Sequence, residues 1–258
     1  MIPSTTFFLD IETVPSSKDI PRGDVAKLFA HKFRREIDEL SKGGYPGSSN
    51  KDVLLDRMWP EKAGLFAEFG KVACIGLGFI ATDKKEGSEP TLRVKSFVSK
   101  DEMSILTKAA AILEKAVVLV SHNGEEFDWP FLFRRFLING LPIPAVLNVA
   151  GKKPWEVPHV DTMKLWSHLQ YKHRCSLDLL AYCMGLPSPK QEMSGDQVAG
   201  FFYQEIKPAK DQLPFDAEED ILRQIGNYCT GDVVTLANVY CRLKGEPLPK
   251  VEYLDKIA

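Results

Sequence analysis

The stretch FFLDIETVP, residues 7–15, constrains this chain more than any other part of its sequence. Its apolar residues predict a buried strand, yet the run is interrupted by two carboxylates, Asp10 and Glu12. Because alternate residues of a strand point to the same face, these two acids would stand side by side. Ionised carboxylates are almost never buried without a partner, so either a cation lies between them or the pair faces water.

Two further acids interrupt apolar surroundings. The segment SHNGEEFDWPFL, residues 121–132, follows a predicted buried strand and carries Asp128 near the carboxyl end of that strand, where α/β sheets usually bind ligands. The segment NYCTGDVVTL, residues 227–236, lies in a long predicted helix. Tyr228 and Asp232 are four residues apart there, so they share one largely apolar face, and a buried aspartate on it needs a partner.

Four acids from three segments suggest one site for hard divalent cations. Magnesium prefers oxygen ligands, usually one or two carboxylates together with waters and substrate phosphates. Two such ions, about 3.5–4 Å apart, stabilise the attacking and leaving oxygens of a phosphoryl displacement. Metal charge would then hold Asp10 and Glu12 together, and Tyr228 would orient or deprotonate the attacking water.

Each of these pieces alone has an ordinary structural explanation. The acids of FFLDIETVP could form a solvated strand end, and the tyrosine–aspartate pair could be a simple helix contact. Phe127 and Trp129, on either side of Asp128, could be core residues. The order, spacing and placement of the pieces together favour a metal-binding, nuclease-like site.

The motifs DIET, HNGEEFD and YCTGD resemble the three exonuclease motifs of the DEDD superfamily of 3′–5′ exonucleases, which have an RNase H-like fold. The tyrosine four residues before the last aspartate resembles the DEDDy branch, because the histidine branch would place histidine at Asn227. The likeness is strongest to the proofreading domains of family B DNA polymerases and their stand-alone relatives. It extends to FAEFGKVACIGLGF and SLDLLAYCMGLPSPK and covers most of residues 5–243, although residues 16–65 match poorly.

The resemblance implies a mixed five-stranded sheet flanked by helices, two divalent metal ions (magnesium or manganese) and a nucleic-acid substrate. It implies that Tyr228 orients water and that the metal ligands are Asp10, Glu12, Asp128 and Asp232. The positions at which the family contacts the terminal nucleotide are Thr13, His122, Asn123 and Phe127, of which the histidine position varies within the family. Phe127 could stack on a base, a contact that tolerates any sequence, or it could pack beneath the site.

Composition places limits on the partner and the compartment. The 258 residues are 44% hydrophobic and 26% charged, as expected of a globular protein with a sizeable core. A formal net charge of −2 means that a nucleic acid must be held by a local basic patch or by metal ions. The candidate basic segments are KKPWEVPH (152–159) and KHR (172–174). Five scattered cysteines, with no CxxC pair, predict reduced thiols in a cytoplasmic protein, and no apolar run is long enough to cross a membrane.

The order of predicted elements favours one α/β domain, residues 1–258, with a helical insertion at about 16–70. Within the insertion we expect helices at 24–40 and 52–59, separated by a mobile glycine- and serine-rich loop at 41–51. A hairpin of strands at 71–81 and 92–98 follows, and then a helix at 101–115, a strand at 116–123 and a helix from Trp129. A short strand is predicted within 159–166, a helix at 176–184, and a last long helix from Asp216, which forms a capping pattern with Glu219.

The expected activity is removal of nucleotides from the 3′ end of single-stranded DNA. Trimming of RNA is the nearest alternative, because a contact to the 2′-OH separates the two substrates and cannot be identified from this sequence. Two further alternatives remain. One is a non-catalytic module that binds nucleic acid or a replication partner, and the other is a nuclease subunit regulated through the insertion, whose mobile loop could gate the site.

Overall fold

A computed structural model describes residues 2–42, 50–81, 89–170, 172–187, 193–204 and 217–254. Six strands form one sheet in these ranges, and the predicted strands at 7–15, 71–81, 92–98 and 116–123 are all confirmed. The strands are β1 (Thr6–Pro15), β2 (Gly70–Ala81), β3 (Thr91–Val98), β4 (Val118–Ser121), β5 (Val160–Asp161) and β6 (Lys250–Tyr253).

The sheet is mixed and has the order β5-β4-β1-β2-β3-β6. β1, β2 and β3 form an antiparallel meander, whereas β4 pairs with β1, β5 with β4 and β6 with β3 in parallel. The expectation of five strands was wrong by one. The sixth, β6, is exposed along its whole length and joins the edge strand β3, which is far away in sequence. Val251 and Tyr253 alternate with Lys250 and Glu252, but four exposed residues are the shortest run that such alternation can identify, and the sequence analysis assigned no strand there.

Nine helices accompany the sheet in the described residues. They are α1 (Asp24–Lys32), α2 (Arg34–Lys42), α3 (Lys51–Lys62), α4 (Glu102–Leu113), α5 (Asp128–Ile138), α6 (Thr162–Ser167), α7 (Leu177–Cys183), α8 (Val198–Phe202) and α9 (Ala217–Lys244). α4 and α5 cover one face of the sheet and α9 covers the other, so a hydrophobic core lies on each side. The capping pattern at Asp216 lies outside the described residues.

The region expected to be a helical insertion does consist of helices. The single helix predicted at 24–40 is two helices, α1 and α2, which meet at Phe33. The Phe33 ring packs against the rings of Phe29 and Phe66, so this break belongs to the small core that the insertion builds around Trp59. Most of the predicted loop at 41–51 lies outside the described residues.

A buried ion pair ties the helical face of the sheet together. The guanidinium of Arg135 in α5 donates to both carboxylate oxygens of Glu102 in α4, at 2.9 and 2.5 Å, and to the carbonyl of Ala67. Glu102 also accepts from the backbone of Val72, so both buried charges have partners on every side. This network holds the start of β2 and the end of the insertion against α5.

The predicted strand at 159–166 is only two residues long, because Asp161 ends β5 and caps α6. The helix predicted at 176–184 is confirmed as α7, with Ser176 as its N-cap. All five cysteines are free thiols. In the described part of the chain, no helix is long and apolar enough to cross a membrane.

Candidate active site

The acidic site begins with the middle of β1. Asp10 is paired with Gly76 and Glu12 with Cys74 in the ladder between β1 and β2, so the two acids emerge on one face with one residue between them. Glu12 is only 8% exposed, and Asp10 is half-buried. The predicted side-by-side arrangement of the two carboxylates is what the strand produces.

Two glycines let helix α9 approach this face closely. A Cβ atom added at Gly76 would lie 2.8 Å from Val233 Cγ2 and 2.9 Å from Cys229 Sγ, and one at Gly78 would lie 2.9 Å from Val233. A real side chain at either position would push the helix away from the sheet. The sequence CIGLGF therefore allows α9 to lie against β2 and to bring its own acid, Asp232, to Asp10 and Glu12.

The third acidic segment is a tight loop between β4 and α5. Gly124 packs so closely under this loop that an added Cβ would lie 2.3 Å from Ser121 Cβ and 2.9 Å from Trp129 Nε1. Asp128, at the first position of α5, is 4% exposed. The backbone N–H groups of Ile11 and of Asp128 itself lie next to its carboxylate and favour the charged form, which places Asp128 against β1 beside Asp10 and Glu12.

The four acids perturb one another strongly. Burial raises the pKa of Asp10 and of Glu12 well above their ordinary values, and repulsion from Asp128 and Asp232 raises both further. Burial likewise raises the pKa of Asp128 to about 7. In the described part of the chain, Asp10, Glu12 and Asp128 form no ion pair with any lysine, arginine or histidine. Buried carboxylates without a counter-charge are costly, so the set fits bound cations with oxygen ligands.

Tyr228 closes the side of the site formed by α9. Its hydroxyl donates a hydrogen bond to Asp232, and burial together with the neighbouring carboxylates raises its pKa far above the ordinary value. The hydroxyl lies beside Gly195, where an added Cβ would be 3.5 Å away. Tyr228 is therefore a protonated hydrogen-bond donor in this arrangement.

Cys229 belongs to the site, although the sequence reasoning passed over it. Its Sγ atom lies 3.5 Å from Asp10 Oδ2, and one ligand atom each from Cys229, Asp10 and Glu12 all lie within 4.8 Å of one another. The thiol is buried on the face of α9 that contacts the sheet, and its pKa is raised by that burial, so it acts as a donor to Asp10. Its helical spacing from the apolar Ile225 and Val233 was the signal that it points inward.

Asp161 is a second residue that the sequence reasoning missed. Its buried carboxylate accepts from the backbone N–H groups of Asn123 and Glu125, at 2.9 and 3.2 Å, and from Met163 at the start of α6, at 2.9 Å. Asn123 has a positive φ of 65°, so the loop turns sharply at this point. Asp161 thereby fixes the loop that precedes Asp128, and its position before an apolar helix start was the signal for a cap.

Three of the residues expected to contact the nucleotide, Thr13, His122 and Phe127, make contacts within the protein. The Thr13 hydroxyl donates to the carbonyl of Gly64 at 2.7 Å, which ties β1 to the insertion. The two ring nitrogens of His122 are hydrogen-bonded within the protein, to Thr162 Oγ1 at 2.9 Å and to the carbonyl of Cys175 at 2.7 Å. Phe127 is partly buried against Phe131, with ring centroids 5.5 Å apart.

A cleft of about 590 Å³ opens beside Glu12. One wall is formed by the insertion at Glu61 and Leu65, and the opposite wall by a 3-10 turn at Gly195 and by α8. Phe127 lines it as well. The α8 wall is held in place where the Tyr203 hydroxyl donates to the carbonyl of Pro15 at 2.5 Å. The insertion therefore shapes the space next to the acids.

Lys153, Arg174 and His159, from the two candidate basic segments, make their contacts with parts of the chain other than the four acids. Lys153 lies over the Trp155 ring on an exposed turn, at 5.3 Å, which is a solvated position. Arg174 pairs with Glu126 of the loop before Asp128, at 2.6 Å. His159, the last residue of the candidate basic segment 152–159, is half-buried; it accepts from the backbone N–H of Leu119 and lies 2.8 Å from the carbonyl oxygen of Val146.

Comparison with known proteins gives one family and a distant structural similarity. A family model described as RNase_H superfamily (RNase_H_2) matches residues 60–244. A search of curated proteins finds no match. The structure of a family B DNA polymerase from the hyperthermophilic archaeon Pyrobaculum calidifontis is similar to this chain, with a TM-score of 0.46 and 14% sequence identity. The aligned region covers 90% of this chain. The match spans 24% of the polymerase chain, so this chain corresponds to about a quarter of it. Because the family model covers well over half of the sequence, the chain belongs to the RNase H superfamily.

Proposed function

We propose that this protein is a 3′–5′ exonuclease, which uses two divalent metal ions to hydrolyse the terminal phosphodiester bond of single-stranded nucleic acid. The observation that carries the proposal is the convergence of four acids from three segments, of which Asp10, Glu12 and Asp128 are held close together without any counter-charge from the described chain. Membership in the RNase H superfamily supports a hydrolytic nuclease. The DIET, HNGEEFD and YCTGD motifs support the 3′–5′ exonuclease branch.

The residues that would hold the metal ions are Asp10, Glu12, Asp128 and Asp232. Two bound divalent ions supply stabilisation of the attacking and leaving oxygens during the displacement. The chain itself supplies rigid placement: the backbone of Ile11 fixes Asp128, and the Cys229 thiol lies against Asp10. The donor set, all oxygen except for one thiol, suits magnesium or manganese.

Tyr228 is proposed to orient the attacking water. Its hydroxyl is already aimed at Asp232, and its raised pKa keeps it protonated near neutral pH, so it acts as a hydrogen-bond donor and not as a base. The cleft next to Glu12 is proposed to receive the terminal nucleotide, with Phe127 against the base and Thr13 and Asn123 beside the sugar and phosphate. His122 would reach a nucleotide only through its ring face, since its two nitrogens are occupied.

We further propose that residues 1–258 form one nuclease domain, in which the helical insertion serves as a wall of the cleft. Two contacts support this proposal. Thr13 joins the insertion to the strand that carries the acids, and residues of the insertion line the cleft. DNA is the first substrate proposed and RNA the alternative. We also propose a cytoplasmic location, because the five cysteines are scattered along the sequence and contain no CxxC pair.

The test is cleavage of matched 5′-labelled DNA and RNA oligonucleotides with magnesium or manganese. We expect a ladder that shortens from the 3′ end and that disappears in chelator and in an Asp10→Ala variant. A ladder from RNA alone would move the substrate to RNA. If neither oligonucleotide is shortened although both are bound, the protein is a binding module and the proposal fails.

A further inference from the structure

A groove of about 230 Å³ lies beside the loop that leads to Asp128. Its near wall is Asn123 and Glu126 of that loop, and its far wall is α6 together with residues 169, 170, 173 and 174. Phe127, the next residue along the loop, lines the cleft at the acidic site instead. The loop is thus a shared wall, with the cleft for the terminal nucleotide on one side and the groove on the other.

The far wall of the groove is strongly basic. From residue 162 to 174 the sequence is TMKLWSHLQYKHR, which contains three lysines or arginines, two histidines and no acidic residue. Lys164, His173 and Arg174 line the groove itself. The chain as a whole has a net charge of −2, so this cluster is a local departure from the average charge of the protein.

Two of these cations are held by acids that a polyanion could replace. Lys164 pairs with Glu125 at 2.5 Å and Arg174 with Glu126 at 2.6 Å. All four side chains are about half exposed, between 47% and 63%. Exposed ion pairs of this kind contribute little stability, so exchanging a carboxylate for a phosphate costs the fold little.

Apolar side chains complete the lining. Met163 and Leu169 lie in the same groove, and Leu169 is 84% exposed. A groove that combines cations with apolar contacts matches a single strand of nucleic acid, which presents phosphates together with unpaired base faces.

We infer that this groove binds the sugar–phosphate backbone of the strand immediately upstream of the scissile bond, with Lys164 and Arg174 exchanging Glu125 and Glu126 for phosphates. The inference rests on the proposed function for the direction of the strand. The recognised chemistry, a single-stranded polyphosphate backbone, is shared by DNA and RNA. Glu125 and Glu126 then compete with the phosphates for Lys164 and Arg174, and this competition weakens the binding of nucleic acid.

The binding test uses fluorescently labelled 12-nucleotide DNA and RNA in an Asp10→Asn background, which prevents cleavage. We expect Lys164→Ala/Arg174→Ala to weaken binding about tenfold at low salt and Glu126→Gln to tighten it, because the first removes phosphate partners and the second removes a competitor. For a single strand each lost phosphate contact lowers the salt slope by about 0.7, so the double variant should lose about sevenfold less affinity between 50 and 200 mM salt.

The matched control is Lys108→Ala/Lys115→Ala, which removes two exposed positive charges at the α4 end of the molecule and leaves the groove intact. This control should bind like the parent. Equal weakening in both double variants, or no tightening in Glu126→Gln, would overturn the inference. Preference for DNA over RNA, or the reverse, identifies which backbone the groove accepts.

A kinetic test distinguishes failure of the inferred groove binding from failure of the proposed exonuclease activity. The p-nitrophenyl ester of thymidine 5′-monophosphate occupies only the cleft, whereas a 12-nucleotide strand also reaches the groove. In the otherwise unmodified protein, Lys164→Ala/Arg174→Ala should raise KM for the 12-nucleotide strand about tenfold and should change KM for the ester far less. Equal loss on both substrates would contradict the groove. Failure of the unmodified protein to hydrolyse either one would contradict the proposed function instead, and the binding data would still decide the groove.

Discussion

Replacing Asp128 by asparagine should stabilise the metal-free protein. The carboxyl group is 4% exposed, and its surroundings raise its pKa to about 7 from an ordinary value of 3.8. A difference of about three pH units between the folded and unfolded pKa corresponds to about 4 kcal/mol above pH 7. Asparagine has the same shape without the charge, so it removes this cost.

The pKa of about 7 already includes the backbone groups that favour the carboxylate, but the net gain is still smaller than 4 kcal/mol, because the asparagine amide brings an additional N–H donor into this buried site. That donor costs about 1–2 kcal/mol, which leaves an expected stabilisation of about 2–3 kcal/mol at pH 8. For a chain of this length each kcal/mol raises Tm by about 2–4 °C, so Tm should rise by about 4–12 °C.

The pH dependence has a definite sign. A group whose folded pKa is raised contributes stability that is fully present below its unfolded pKa and is lost as the pH rises through the folded pKa. Wild-type stability due to Asp128 should therefore fall between about pH 4 and pH 7. The advantage of Asp128→Asn should be small near pH 4 and reach its maximum above pH 7.

The assay is urea denaturation in chelator at pH 5 and pH 8, with Glu114→Gln as an exposed carboxylate control on the same face of the sheet. The control should change stability by less than about 0.5 kcal/mol at both pH values. Added magnesium or manganese should stabilise the wild type and should stabilise Asp128→Asn far less. If Asp128→Asn is no more stable than wild type at pH 8, or if its advantage is the same at pH 5, the four acids are not held against their mutual repulsion.

Three further substitutions test the site. Tyr228→Phe keeps the ring but removes the hydrogen bond to Asp232, so single-turnover cleavage should slow about a hundredfold while thermal stability changes little; an unchanged rate would exclude the water-orienting role. Gly76→Ala should cost about 1–3 kcal/mol in denaturant unfolding and also lower cleavage, because the methyl group displaces α9; unchanged stability would contradict the close packing. Asp161→Asn should lower kcat through the loop that carries Asn123, and a change in KM alone would argue against that positioning.

The sequence was sufficient to predict the strand with two acids and the placement of the other two. Local rules determine these features: alternate residues of β1 share a face, and residues four apart on α9 share a face. Asp10, Glu12, Asp128 and Asp232 were therefore expected at one site, and the fold brings the four carboxylates close enough to repel one another. The alternation of apolar residues also predicted β2 and β3 and their antiparallel pairing.

Features that depend on contacts between distant segments could not be predicted in the same way. β6 is only four exposed residues long and is stabilised by its pairing with the edge of β3. Cys229 looks like an ordinary buried thiol until α9 is placed against Asp10. Asp161 looks like a helix cap until the loop at Asn123 folds back onto it. Each depends on tertiary hydrogen bonding, which local propensity does not encode.

The central claim is removal of nucleotides from a free 3′ end, and the most direct measurement compares a linear single-stranded oligonucleotide with a circular one of the same sequence. With magnesium or manganese, the linear strand should be shortened stepwise to nucleoside 5′-monophosphates, and the circle, which has no end, should remain intact. Cleavage of the circle, or no shortening of the linear strand under any of these conditions, would contradict the account.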